Sequence, residues 1–272
     1  MLRVSCGALG QATSVSPPKY RVFPVKNAGI TKEAYDDFSG DYDRFVNWEE
    51  RLSAEMPFLL EKLQSAAPQE DRPVRVLDAA CGTGMHAITL AKTGMRVSGT
   101  DLSPEMIRTA KENALTAQSK AEFKAAGFGT LAEAFASSSS YPFDGIICLG
   151  NSLPHLLSGK AILDTLADMA NCLRPGGLLL LQNRNFDAVM AEKNRWLGTQ
   201  SQVKGSHEWL FLRFYDFDPD GLITFNIIRL HKDGSGPWVQ RESAARLFPL
   251  PQEILLPLLK KGGFTKFPAL GK

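Results

Sequence analysis

The spacing of apolar positions changes character twice along this chain. Over residues 31–67 it is helical, with Phe45, Trp48, Leu52, Met56, Leu59, Leu60 and Leu63 forming a stripe, and Pro57 is expected to kink or restart that helix. From residue 74 short apolar runs alternate with amphipathic stretches. The runs predict strands over 74–78, 95–100, 121–125, 143–149 and 177–183, and the stretches between them predict helices over 84–93, 103–117, 129–136 and 160–173. Such alternation implies right-handed crossovers and a parallel sheet. Beyond residue 200 the pattern turns to β, with runs over 207–217, 221–231 and 237–247. Asp218-Pro-Asp-Gly221 joins the first two as a hairpin turn, so an antiparallel meander is expected. Leu210, Leu212 and Phe214 face one way and Trp209, Phe211 and Phe217 the other. One face should therefore cover the main sheet or a pocket, and the other meet a partner subunit. A helix over 252–261 and the start of a strand at 264–268 complete the pattern.

These elements predict an α/β chain: a doubly wound, mainly parallel Rossmann-like sheet with an antiparallel β meander inserted after strand five. The organisation read from them is a leader over 1–30 and one domain over 31–272, with a core at 74–183 and an insert at 200–248. At 272 residues the chain has ample length for a sizeable core. Its 31 basic and 29 acidic residues nearly balance and form no basic run, which argues against nucleic acid as a partner. Cys6, Cys81, Cys148 and Cys172 show no paired framework or metal-ligand spacing, and read as reduced thiols of a cytoplasmic protein. No metal site is expected, and no apolar run approaches the ~18 residues of a membrane span. The first 32 residues hold five basic residues and no acid, fitting either an organelle transit peptide or a disordered leader.

Candidate chemistry concentrates in Val74–Ala87. A strand ends on Asp78, turns through Cys81-Gly82-Thr83-Gly84 and opens a helix; seventeen residues past Gly84 the next strand ends on Asp101. Strand, glycine turn, helix, strand and acid form a site for an adenosine-containing ligand. A pyrophosphate site would keep negative charge away from the helix N-terminus. Asp78 beside the turn instead suits a ligand with a cationic ammonium or sulfonium, while Asp101 suits the two hydroxyls of a ribose.

Asp78-Ala-Ala-Cys-Gly-Thr-Gly84 and Asp101-Leu-Ser-Pro-Glu-Met106 resemble the first two motifs of class I S-adenosylmethionine-dependent methyltransferases. Phe143–Ser152 and Leu173–Leu181 resemble their fourth and fifth strands, in the family's order. Leu149-Gly-Asn-Ser-Leu-Pro-His155 and Gln182-Asn-Arg-Asn-Phe-Asp187 are similar to the glycine/sarcosine N-methyltransferase group. The resemblance implies S-adenosylmethionine as cofactor, bound by Arg51, Asp78, Ala80, Gly82, Gly84, Asp101, Leu102, Met106, Phe128, Leu149 and His155. It implies that Arg184 forks the carboxylate of a small amino acid, that Asn151 orients it, and that Tyr42 or Tyr35 closes the site. His86, Arg213 and Tyr215 read as packing or local polar residues, and Cys81 as a small buried filler.

Two features depart from that pattern. After strand three the chain reads Ala126-Gly127-Phe128, so Gly127 offers only backbone where relatives carry an acid or Asn for the adenine amino group. Beyond Gly263-Phe264-Thr-Lys-Phe267 too little follows for a seventh strand, so the last strand is expected to be missing. The function expected is methyl transfer to the amine of a glycine- or sarcosine-like small molecule, in a monomer or homo-oligomer. The alternatives are a different small acceptor (O, C or S), or a cofactor-binding regulator without catalysis.

Overall fold

The computed structural model of the chain describes residues 46–66 and 71–266. It opens with helix α1 (Trp48–Ser65), whose N-cap Asn47 accepts the Glu50 N–H at 3.3 Å. Met56, Leu59 and Leu63 are its buried stripe. Pro57 lies inside one uninterrupted helix and does not restart it. The ring forfeits one backbone bond, and the buried side chains on both flanks hold the helix together.

Five parallel strands follow, β1 (Arg75–Ala79), β2 (Arg96–Asp101), β3 (Glu122–Ala125), β4 (Phe143–Cys148) and β5 (Leu173–Leu181). Helices α2 (Met85–Lys92), α3 (Pro104–Thr116), α4 (Leu131–Phe135) and α5 (Gly159–Cys172) connect them. The order β3-β2-β1-β4-β5 reverses direction between β1 and β4, which opens a crevice at the strands' C-terminal ends. β4 is buried along its whole length, as a strand covered on both faces must be. β5 begins at Leu173 rather than 177, because a register shift opposite Phe143–Gly145 carries Arg174–Gly177 into the strand.

At the opposite end from the crevice Asp144, with no exposed side-chain surface, gathers three segments. Arg72 forks it at 2.7 and 2.9 Å, Arg174 Nε donates at 2.8 Å and the Arg75 N–H at 2.8 Å. Burial alone would push this carboxyl up; the arginines and the N–H outweigh it and hold it at about 2.

Helix α6 (Phe186–Glu192), which the sequence pattern did not announce, is capped by Asn185. A second sheet follows, antiparallel and four-stranded: β6 (Gln200–Lys204), β7 (His207–Phe217), β8 (Ile223–Asp233) and β9 (Val239–Leu247). β6 is an addition to the expected three strands: a short, polar edge paired to β7 from Gln200↔Phe211 to Lys204↔His207. Trp209, Phe211 and Tyr215 are buried on one face of β7, while Leu210, Leu212 and Phe214 on the other are half-exposed.

Helix α7 (Gln252–Lys261) packs on α5. No strand follows it among the described residues, in contrast to the strand expected at 264–268; residues 267 and 268 lie outside them. The helix's C-terminal turn uses these residues instead: Gly263 has φ +101°, the Phe264 N–H reaches Leu259 O at 3.1 Å, and the Phe264 ring joins the core.

Candidate active site

The glycine turn after β1 is built by backbone. Ala80, Gly82 and Gly84 have φ of +64°, +54° and +81°. A Cβ on Gly84 would lie 2.7 Å from Phe123 Cζ, so helix and sheet meet only because it is absent. Asp101 locks the turn: its carboxylate accepts the Gly82 N–H at 2.9 Å and the Ser103 N–H at 3.0 Å.

The turn forms one wall of a cavity of about 860 Å³. Ala80, Gly82, Asp101, Leu102, Met106, Gly127 and Phe128 line the β1–β3 end, Asn151, His155 and Arg184 the β4–β5 end, and Arg51 on α1 a third side. Gly84, Asp78 and Leu149 stand behind this lining rather than in it, Asp78 and Leu149 both buried. Tyr35 and Tyr42 lie outside the described residues. A Cβ on Gly127 would stand 3.0 Å from Leu102 Cδ1, so the glycine accommodates the close approach of Leu102, itself 62% exposed.

Glu55, which carries no role in the sequence motifs, is the hub of the α1 wall. Arg51 Nε donates to both its oxygens at 3.2 and 3.1 Å, Gln182 Nε2 to Oε1 at 2.7 Å, and His86 Nε2 lies 2.7 Å from Oε2. Burial would raise this carboxyl, but His86, Gln182 and Arg51 pull it down to about 2. Gln182 Oε1 in turn accepts Arg51 Nη2 at 3.2 Å and the Gly150 N–H at 3.0 Å. Glu55 shows in sequence only as the i+4 partner of Arg51.

The ends of β4 and β5 are laced together. Gly150 and Asn151 both take left-handed backbone, φ +74° and +68°, which Asn tolerates better than most residues. The Asn151 N–H reaches Gln182 O at 3.1 Å, and Asn151 Oδ1 accepts the Arg184 N–H at 3.0 Å. That leaves the exposed Arg184 guanidinium facing the cavity with no carboxylate partner among the described residues.

Two deeper groups are shifted by burial. The Asp78 carboxyl is pushed up to about 6 by burial; His86's charge opposes this and Asp101's adds to it. His155 is pushed down to about 4 by burial, so its imidazole is neutral at physiological pH. Burial also drives the Cys81 and Cys148 thiols up, which rules out a thiolate nucleophile at this site. Among the described residues no group of His, Cys, Asp and Glu could hold a metal ion, and no helix is long and apolar enough to cross a membrane.

A family described as "Methyltransferase domain" matches residues 76–177, the strands and turn just described. The chain is also 32% identical over 209 residues to the glycine/sarcosine N-methyltransferase of Aphanothece halophytica, spanning 74% of this chain and 76% of the relative. It belongs to the glycine/sarcosine N-methyltransferase family. The enzyme of that name from Halorhodospira halochloris is 29% identical over 246 residues, covering 89% of this chain and 82% of its own. In fold the methyltransferase is similar to the sugar N-methyltransferase KedS8 from Streptoalloteichus sp ATCC 53650, at TM-score 0.65 and 19% identity over 95% of this chain and 91% of that one. DesVI of Streptomyces venezuelae is similar at TM-score 0.66 and 16% identity, over 85% and 89%.

The protein is thus an S-adenosylmethionine-dependent methyltransferase acting on a small molecule, with a parallel Rossmann-like sheet and a separate antiparallel one. The residues present fit that cofactor. Asp78 Oδ2 is a buried acceptor with no hydrogen-bond partner among the described residues, beneath a turn that suits a cationic ligand. Leu102 and Phe128 add apolar lining to the same cavity, and Asp101 lines it beside Leu102.

Proposed function

We propose that this methyltransferase methylates the amine of a small amino acid whose carboxylate is held by Arg184. The observation that carries the reading is the Arg184 guanidinium itself, on the cavity wall with no carboxylate partner among the described residues and fixed through its own backbone by Asn151. A planar fork of donors matches a carboxylate in two-point contact, and two points set the direction in which the amine projects. The names of the curated relatives, glycine/sarcosine N-methyltransferase, favour glycine-like acceptors.

On this reading Asp101 takes the ribose hydroxyls, Leu102 and Phe128 enclose the adenine, and Gly82 and Ala80 leave the backbone open to the ligand. Arg51, half neutralised by Glu55, meets the carboxylate of the cofactor's methionine part. S-adenosylmethionine, when bound, supplies a methyl carbon on a sulfonium; the amine lone pair forms the C–N bond, the C–S pair returns to sulfur, and the new ammonium sheds a proton to solvent. The protein's part is alignment and exclusion of water, which is worth roughly 7–11 kcal/mol in favourable cases. His155, neutral on the cavity wall, adds no competing positive charge beside the sulfonium site. A cytoplasmic setting fits the three buried unpaired cysteines, Cys81, Cys148 and Cys172, and the half-exposed face of β7 suits a homo-oligomer better than nucleic acid.

The test is steady-state kinetics with glycine and sarcosine for wild type and Arg184→Met. Losing a two-point charged contact of about 3 kcal/mol should lower kcat/KM by about 150-fold, mostly through KM. The wild-type rate should climb with pH as the amine deprotonates. An Arg184→Met enzyme with unchanged KM would remove the basis of the reading.

A further inference from the structure

A second pocket adjoins the main cavity at Arg184. It encloses about 400 Å³, and Arg184 lines both spaces, so the proposed anchor of the acceptor stands where they meet. One side of this pocket is a face of α6 with its cap: Asn185, Ala188, Val189 and Glu192 follow at the i, i+3, i+4, i+7 spacing of a single helical stripe. Another side is the segment 194–198, from which Trp196 and Leu197 line it. That segment is stitched to β7: the Leu197 N–H reaches Arg213 O at 3.0 Å, and the Tyr215 N–H reaches Arg195 O at 2.8 Å. Hydrogen-bonded backbone therefore holds both walls.

Tyr215 lines the same pocket. It is 1% exposed, and its hydroxyl has no hydrogen-bond partner among the described residues. Its ring packs against Phe217 and Phe225, with centroids 6.3 and 5.5 Å away, which accounts for the ring but not for the hydroxyl. Burial raises the phenol above its ordinary range, and the charge of Arg184 is the first to oppose it, so Tyr215 keeps its O–H and lies within the field of the Arg184 guanidinium. A buried O–H without an acceptor is costly, and a bound ligand with a carbonyl oxygen removes that cost. The rest of the lining narrows the ligand. Ala188, Val189, Trp196 and Leu197 suit a short apolar stem, while the Glu192 carboxylate on the same wall opposes a second anion and suits an N–H.

We propose that this pocket takes the side chain of the acceptor, an α-amino acid with a short arm ending in a carboxamide, whose carbonyl oxygen accepts from Tyr215 Oη while its carboxylate stays on Arg184. This deepens the reading of Arg184 as the acceptor's anchor and rests on it. The step keeps its balance: the amine nitrogen bonds the methyl carbon, the C–S pair returns to sulfur, and the product ammonium releases one proton to solvent.

The experiment compares glycine, L-alanine, L-asparagine and L-glutamine, by turnover with S-adenosylmethionine and by calorimetric binding with S-adenosylhomocysteine present. The expected result is a kcat/KM for asparagine or glutamine at least about tenfold above that for alanine, with a matching gap in Kd. Tyr215→Phe, which keeps the ring and removes the donor, should lower that carboxamide-to-alanine ratio by about tenfold. Ala188→Phe, which fills the pocket from α6 and leaves Tyr215 in place, should lower the same ratio. A wild-type ratio near one, or a ratio that both variants leave in place, would overturn the proposal. Glycine methylated in an Arg184-dependent way beside such a flat ratio would keep the anchor and remove the side-chain pocket. Carboxamide binding lost in Tyr215→Phe but kept in Arg184→Met would keep the pocket and remove the anchor. If none of the four amino acids reacts or binds, both fall.

Discussion

Replacing Asp144 with Asn tests whether the folded sheet depends on a charge far from the chemistry. The carboxylate has no exposed side-chain surface and draws together Arg72 ahead of β1, the Arg75 N–H at its start and Arg174 at the start of β5. Its pKa stands at about 2 against an ordinary 3.8, a gap worth about 2.5 kcal/mol of folding free energy. Because the folded-state value is the lower, this stability is complete well above pH 3.8 and is lost as pH falls toward about 2. Roughly half is gone at pH 3. Removing one partner of a buried ion pair typically costs 3–5 kcal/mol, and Asn keeps an acceptor, so about 3 kcal/mol is expected at neutral pH. Urea unfolding of wild type and Asp144→Asn at pH 7 and pH 3 measures both quantities. The difference between the two proteins should be about 3 kcal/mol at pH 7 and shrink by about 1 kcal/mol at pH 3. Cofactor affinity of the folded variant should stay within about twofold, because the cluster is at the end of the sheet opposite the crevice. A variant within 0.5 kcal/mol of wild type at pH 7, or a difference that ignores pH, refutes the reasoning.

At the cofactor end, Asp101→Asn turns one acceptor into a donor facing the Gly82 N–H and should weaken S-adenosylmethionine binding about 100-fold by calorimetry. Unaltered affinity would mean that the carboxylate serves the turn alone. Gly84→Ala puts a Cβ at φ +81° against Phe123 Cζ at 2.7 Å, and should cost about 2–3 kcal/mol in urea unfolding. A cost near zero would mean that Phe123 yields freely.

The cofactor half of the site was legible because it is local. Asp78, Gly82, Gly84 and Asp101 belong to one strand-turn-helix-strand unit, and backbone geometry forces them together once the unit forms. The acceptor half depends on distant pairing. Glu55 and Gln182 bond across 127 residues, and Arg213 reaches the cavity only through the meander's register, which no local period announces. β6 escaped because Gln200–Lys204 has little apolar alternation, and an edge strand takes its order from its partner. α6 is short and hidden in sequence because Asn185-Phe-Asp carries candidate chemistry, while Asn185 also serves as its helix cap.

One side chain ties the two halves together. Gln182 directly follows β5, and its amide oxygen accepts from Arg51 on α1 and from the Gly150 N–H just beyond β4, while its amide nitrogen donates to Glu55. Its backbone carbonyl receives Asn151, which in turn fixes the backbone of Arg184. A displacement of α1 therefore strains the same bonds that hold Arg184, the proposed anchor of the acceptor. In-line transfer needs methyl and nitrogen aligned to a fraction of an ångström, so on the proposed placement of cofactor and acceptor a rigid link between the α1 wall and the β4–β5 loops serves the chemistry directly. The bonds from His86, Gln182 and Arg51 hold the Glu55 pKa at about 2, so Glu55 stays ionised near neutral pH and keeps Arg51 and Gln182 joined in this hub.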